Sequence, residues 1–225
     1  MKPITVLLAD DHTLVCEGLK TLLEAEGDMR IVGEAVTGRQ AVGLVKKLRP
    51  DVVVMDIALP LLNGVEATRQ IVKAVPATRV LILSAHGDDA YIDRGIEAGA
   101  AGYMLKQSPL AALAQAIRQI RAGKTFFSPS ISKRLRLGQR KSPGGTPAPR
   151  KELARLSPRE REVLQLVAEG DANKQVAAEL GISIKTVEKH RHRIMEKLQL
   201  HHTAGLTRYA IAEGIIESSV QRTTL

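Results

Sequence analysis

Tryptophan is absent from this 225-residue chain, and its aromatics are three tyrosines and two phenylalanines. A core must therefore be assembled from Ala, Val, Leu and Ile, which the 44% apolar content allows. Cysteine is almost missing too. Cys16 stands alone, so no disulfide can close within the chain, as suits a reducing compartment. No apolar run approaches the roughly 18 residues of a membrane span. The chain opens Met1-Lys2-Pro3 and then carries one short apolar run ending at Asp10-Asp11. A signal peptide needs a longer stretch and a small-residue cleavage site. A cytoplasmic protein with no membrane contact is expected. Neither G-x-x-x-x-G-K-[ST] nor G-x-G-x-x-G follows the first run, which argues against a nucleotide-binding enzyme. The histidines, His201-His202 included, lack Cys partners at ligand spacing, so zinc is not expected.

What is present is unevenly spread. The formal net charge is +9, yet residues 1–124 hold 15 Lys/Arg against 14 Asp/Glu and residues 156–225 hold 10 against 9. Residues 125–155 hold 8 against 1. The basic excess sits in a connector, where it reads as a solvated arm that adds non-specific attraction to nucleic acid.

The first half alternates short apolar runs with amphipathic stretches. Ile4–Ala9, Ile31–Val36, Val52–Met55, Val80–Leu83 and Ala101–Leu105 suit strands buried on both faces of a parallel sheet. Between them, Leu14–Glu26, Arg39–Leu48, Val65–Val75, Ala90–Ala98 and Leu110–Ala122 read as helices, with Gly99 and Gly123 at expected C-caps. Five β-α units imply a doubly wound α/β domain over 1–124, with a five-stranded parallel sheet in the flavodoxin-like order 2-1-3-4-5. Ser142-Pro143-Gly144-Gly145-Thr146-Pro147-Ala148-Pro149 sustains neither helix nor strand, so 125–151 is expected as a flexible basic linker. Only helical periodicity follows: Pro158–Glu169, Lys174–Leu180, Ile184–Leu198 and Thr203–Gly214, punctuated by Gly170 and Gly181. This is a small all-α domain of four helices, 152–217, with a tail at 218–225.

In an open parallel sheet, function gathers at the carboxyl ends of the strands. The first run ends in Asp10-Asp11, the third in Asp56, the fourth in Ser84, and Lys106 follows the fifth. In the expected order all of these share one crevice. Asp11 alone reads as a helix cap and Lys106 alone as a surface charge; jointly they read as a site. Clustered carboxylates repel one another unless a cation joins them, and oxygen ligands with water to spare suit Mg²⁺. A metal, a hydroxyl and a Lys point charge are what a phosphoryl group in transfer needs.

The segments Leu8-Ala9-Asp10-Asp11-His12, Met55-Asp56-Ile57-Ala58-Leu59-Pro60, Asn63-Gly64 and Gly102-Tyr103-Met104-Leu105-Lys106 resemble the receiver domain of two-component response regulators. The resemblance implies that Asp56 is the phosphoacceptor. It implies that Asp11 binds Mg²⁺ directly, Asp10 partly through water, and that Asp56 and the backbone carbonyl of Ala58 complete the protein ligands. Ser84 and Lys106 would meet the phosphoryl oxygens, and Tyr103 would be an aromatic switch following Ser84. Ser84 is often Thr in the family and keeps the hydroxyl. A sensor histidine kinase is the implied partner.

Residues 156–217 resemble the LuxR-type helix-turn-helix of the NarL/FixJ subfamily. Leu156-Ser157-Pro158-Arg159-Glu160-Arg161-Glu162-Val163-Leu164, Asn173-Lys174-Gln175-Val176-Ala177-Ala178-Glu179-Leu180 and Ser183-Ile184-Lys185-Thr186-Val187-Glu188-Lys189-His190 carry the likeness, with Gln175 where members often have Glu. The residues agree. Ser157 is a good N-cap with Pro158 at the first helical position, Gly181 permits the tight turn, and Ser183 caps the next helix. On that helix Val187, Ile194 and Leu198 form a core side, opposite a polar stripe of Lys185, Lys189, His192 and Glu196. Segment 183–197 carries five Lys/Arg against two acids. That suits a major-groove reader. Lys185, Thr186, Lys189 and Arg193 are assigned to double-stranded DNA, with Asn173, Lys174 and Ser183 beside them; His190 is structural or phosphate-facing. Regulators of this kind bind paired half-sites as dimers, so a homodimer on phosphorylation is expected.

Overall fold

In the computed structural model, the described residues are 2–85, 87–133 and 156–216. The chain forms two compact units, Met1–Pro143 and Gly144–Leu225. Most of the expected linker, 134–151, and the tail 218–225 lie outside the described residues.

The first unit runs β1 (Ile4–Ala9), α1 (Thr13–Ala25), β2 (Met29–Ala35), α2 (Gly38–Leu48), β3 (Val52–Met55), α3 (Gly64–Ala74), β4 (Arg79–Ser84), α4 (Asp89–Glu97), β5 (Gly102–Leu105), α5 (Leu110–Arg121) and β6 (Phe126–Phe127). Every pairing is parallel and the order is β2-β1-β3-β4-β5-β6. The expected order holds, but the count of five strands is corrected to six. Phe126 N–H donates to Ala101 O (3.1 Å) and Ser128 N–H to Tyr103 O (3.2 Å), which extends the sheet past β5. Ile131 is fully buried, so the folded body also continues beyond residue 124.

Alternation of side chains across the sheet splits the core. Val6, Leu8, Val52, Val54, Leu81 and Leu83 pack with Leu19, Leu23, Leu113 and Ile117 of α1 and α5. Leu7, Val53, Met55 and Val80 pack with Val42, Val45 and Ile71 of α2 and α3. Continuous apolar strands arise because both faces are covered. Few aromatics are needed since branched aliphatics fill the layers.

The second unit holds α6 (Pro158–Ala168), α7 (Asn173–Leu180), α8 (Ile184–Leu198) and α9 (Thr203–Ala212). Ser157 Oγ accepts from Glu160 N–H while a Glu160 carboxylate oxygen accepts from Ser157 N–H, a complete capping box ahead of Pro158. Gly181 ends α7 at φ +61°, a left-handed turn that favours glycine. Val176, Val187, Ile194, Leu198, Leu206 and Ala210 are buried. Among the described residues, no helix is long and apolar enough to cross a membrane.

Candidate functional site

Strand register assembles the first site. Ala9 pairs with Met55, and Met55 with Ile82, so Asp10 and Asp56 emerge side by side as the next residues of β1 and β3. Ser84 pairs with Leu105, which brings Lys106 to the same edge; Lys106 N–H donates to Ser84 O at 2.8 Å. Gly64 N–H donates to Ile57 O at 2.9 Å, and a Cβ at residue 64 would collide with the carbonyl of Asp56. Only glycine lets α3 start this close to the acidic strand end.

Asp10 and Asp56 are each 4% exposed; Asp11 lies at the surface. The Lys106 ammonium joins the buried pair, 2.7 Å from Asp10 Oδ2 and 2.9 Å from Asp56 Oδ2. The other Asp56 oxygen accepts from Ile57 N–H at 2.7 Å. Burial pushes the Asp56 carboxyl up from its ordinary range, against the pull of Lys106. Burial would lower Lys106, but Asp10 and Asp56 outweigh it and hold the ammonium charged. Ser84 and Tyr103 are both fully buried and hydrogen-bonded to each other, and burial lifts the Tyr103 phenol to about 12. Ala58, half-buried, follows two residues after Asp56.

The reading of Asp11 as a helix cap fails, because His12 occupies the N-cap of α1. His12 Nδ1 lies 3.0 Å from an oxygen of Asp10 and 3.0 Å from one of Asp11. The hydrogen bond to Asp10, then the charge of Asp11, raise its pKa above the usual value. Asp10, Asp11, His12 and Asp56 each offer a ligand atom, all within 4.8 Å of one another. Two buried carboxylates and a third beside them form an oxygen-rich set that a divalent cation fits.

In the second unit Lys185, Lys189, His192 and Arg193 are exposed on α8, whereas Val187, Ile194 and Leu198 are buried. Ser183 Oγ accepts from Thr186 N–H (3.1 Å) and shares a hydrogen bond with the Thr186 hydroxyl (2.8 Å). Lys174 is exposed, and half-buried Asn173 accepts from Arg191 Nη1 at 2.6 Å. His190 is set apart from the exposed cations. It is half-buried with Nδ1 in the interior, and burial lowers its pKa. An imidazole with Nδ1 turned inward suits the structural role that the sequence allowed for His190 beside the phosphate-facing one.

Residues 6–118 match the model of the response regulator receiver domain, and residues 154–210 match that of the bacterial regulatory proteins of the luxR family. The transcriptional regulatory protein MctR of Rhizobium johnstonii is 38% identical over 213 residues, 95% of each chain. This chain belongs to the NarL/FixJ response regulators. DegU of Brevibacillus brevis, another transcriptional regulatory protein, is 36% identical over 225 residues, again 95% of each chain. Among solved structures, the RcsB response regulator of Salmonella typhimurium aligns over 94% of this chain and 100% of its own, with TM-score 0.58 and 27% identity. A LuxR-family regulator from an Aurantimonas species covers 63% of this chain and all of its own at TM-score 0.59 and 38% identity. The protein is thus a transcriptional response regulator and not a classical enzyme.

Three features of this response regulator escape sequence reasoning. His12 joins the acidic cluster, though its adjacency to Asp10-Asp11 was a signal in plain view. Arg191 ties α8 to Asn173 at the start of α7 and, through Nη2, to Thr203 Oγ1 at the start of α9 (2.7 Å). Lys197 pairs with both oxygens of buried Glu160, at 2.9 and 2.7 Å. Its pull, with the capping hydrogen bonds of Ser157, outweighs burial and lowers the Glu160 pKa.

Proposed function

We propose that Asp56 is the phosphoacceptor, loaded by a sensor histidine kinase with Mg²⁺, and that its phosphorylation controls dimerisation and sequence-specific DNA binding through α8. The observation that carries this reading is the Lys106 ammonium bridging Asp10 and Asp56 at the carboxyl edge of the sheet. Asp10, Asp11, Asp56 and the carbonyl of Ala58 would hold the cation. When bound, it supplies the positive charge that offsets the anionic phosphoryl oxygens. An Asp56 oxygen forms the new bond to phosphorus as the bond to the donor breaks. Lys106 then passes from Asp56 to a phosphoryl oxygen, and the Ser84 hydroxyl donates to another. Because Ser84 bonds Tyr103, the serine carries that event to the aromatic ring. A bias of a few kcal/mol between two arrangements suffices for a switch.

Lys185, Lys189 and Arg193 project outward from α8, with Lys174, Thr186, Ser183 and Asn173 near its entry. RcsB, 27% identical to this chain, has been solved in complex with DNA and as dimers on DNA, which supports the same mode here on paired half-sites. A cytoplasmic setting suits the lone thiol Cys16 and a DNA target. The test is intact-mass measurement after incubation with acetyl phosphate, with and without Mg²⁺. One phosphate should appear only with the cation, and Asp56→Asn should abolish it. A phosphorylated Asp56→Asn protein would overturn the assignment.

A further inference from the structure

The exposed face of α8 carries an acid that a DNA-binding surface should avoid. Glu188 is exposed between Lys185, one turn before it, and His192, one turn after it, with Lys189 adjacent. Near phosphates a carboxylate is repelled. The bland account is a solvated helix pair, Glu188 with His192 at i+4. The structure spends His192 elsewhere: its Nε2 lies 3.4 Å from Glu196 Oε1, one turn further on. Among the described residues, Glu188 makes no ion pair, although Lys185 stands three residues away. It is also the fifth residue of a helix whose N-terminal part is the part that meets base edges. Glu196, eight residues later, sits beyond that reach.

In the major groove, the cytosine N4 amino group offers a hydrogen-bond donor that a carboxylate accepts. The guanine paired with it offers only the acceptors N7 and O6, which suit a neighbouring lysine. Adenine N6 is a poorer choice for a carboxylate because the N7 acceptor beside it repels the second oxygen. Glu188 flanked by Lys185 and Lys189 thus presents an acceptor and donors together, a match to a G·C pair.

We propose that Glu188 is a specificity-determining residue that selects cytosine within each half-site, by accepting a hydrogen bond from its N4 amino group. This rests on α8 entering the major groove, so the experiment includes Lys189→Ala. The full chain, treated with acetyl phosphate and Mg²⁺ and untreated in parallel, is used to select sequences from a pool of randomised duplex DNA. The parent should fix a C·G pair at one position of each half-site, with discrimination of roughly 5- to 150-fold. Glu188→Gln should shift that position towards adenine, which Gln bonds through N6 and N7. Glu188→Ala should accept all four bases there and bind unmatched DNA at least as tightly as the parent. Since Glu188 is exposed, both variants should melt as the parent does. Identical selected sequences for parent, Gln and Ala proteins would overturn the proposal. If Lys189→Ala weakens binding in that same experiment, only the Glu188 assignment falls. If Lys189→Ala also changes nothing, the docking of α8 falls with it.

Discussion

Replacing Lys106 by Met should expose the charge balance of the acidic site. The ammonium bridges two carboxylates that are 4% exposed, at 2.7 and 2.9 Å, and offsets their repulsion. Removing one partner of a buried charge pair costs about 3–5 kcal/mol. The Lys106 side chain retains 22% exposure, so solvent already screens part of that attraction. A loss of about 2 kcal/mol in the metal-free protein is the expected scale. For a unit of this size that lowers the melting temperature by roughly 8 °C. A divalent cation should restore most of it, because it neutralises the same oxygens without first displacing an ammonium. At a hundredfold excess over its Kd, a ligand adds about 2.7 kcal/mol. The assay is thermal melting of parent, Lys106→Met and the exposed-site control Lys46→Met, in chelator and in Mg²⁺. Lys106→Met melting within a degree of the parent in chelator would show that the ammonium does not offset the buried charge. Melting temperatures of parent and Lys106→Met that are both the same in Mg²⁺ as in chelator would show that the cluster does not hold the metal.

Ser84→Ala removes the hydroxyl that Tyr103 bonds, which should cost about 1–2 kcal/mol and slow phosphate uptake by roughly tenfold or more; Ser84→Thr should restore the rate, and an unchanged rate in Ser84→Ala would refute the role. Lys189→Ala should weaken operator binding. The loss is about 1–3 kcal/mol on matched DNA alone if it reads a base, or a drop of roughly one in salt slope on all sequences if it meets phosphate. Titrations at several salt concentrations decide between them. Lys197→Met leaves buried Glu160 without its ammonium and should destabilise the second unit by about 1–2 kcal/mol after solvent screening at the lysine. Glu160 and His190 both have folded pKa values below their ordinary ones. Each therefore contributes stability that is present above its unfolded pKa and lost as pH falls. For His190 the loss begins below about 6.5, and for Glu160 below about 4.5. Urea midpoints of the second unit followed by far-ultraviolet dichroism should fall through both windows; a flat profile would contradict the burial of His190.

The amino-acid order alone determined the strand and helix positions, the capping of α6 and α8 by Ser157 and Ser183, and the residues at the strand ends. Those features are local: periodicity, cap chemistry and glycine backbone freedom act within a few residues. Asp10, Asp56, Ser84 and Lys106 were legible as a group because strand order and the carboxyl-edge rule turn four separate positions into one place. Tertiary structure decided the rest. Phe126–Phe127 is too short to show any period, and it becomes a strand only because β5 offers unpaired carbonyls at Ala101 and Tyr103. His12 joins Asp10 and Asp11 through the angle at which α1 leaves β1. Lys106 bridges two carboxylates because strand register sets its reach. His190 turns inward, and Lys197 finds Glu160, because α6 packs beneath α8. Except for His12, whose partners are its sequence neighbours, each of these depends on which residues distant in sequence are brought within a few ångströms, and no short window of the chain contains both partners.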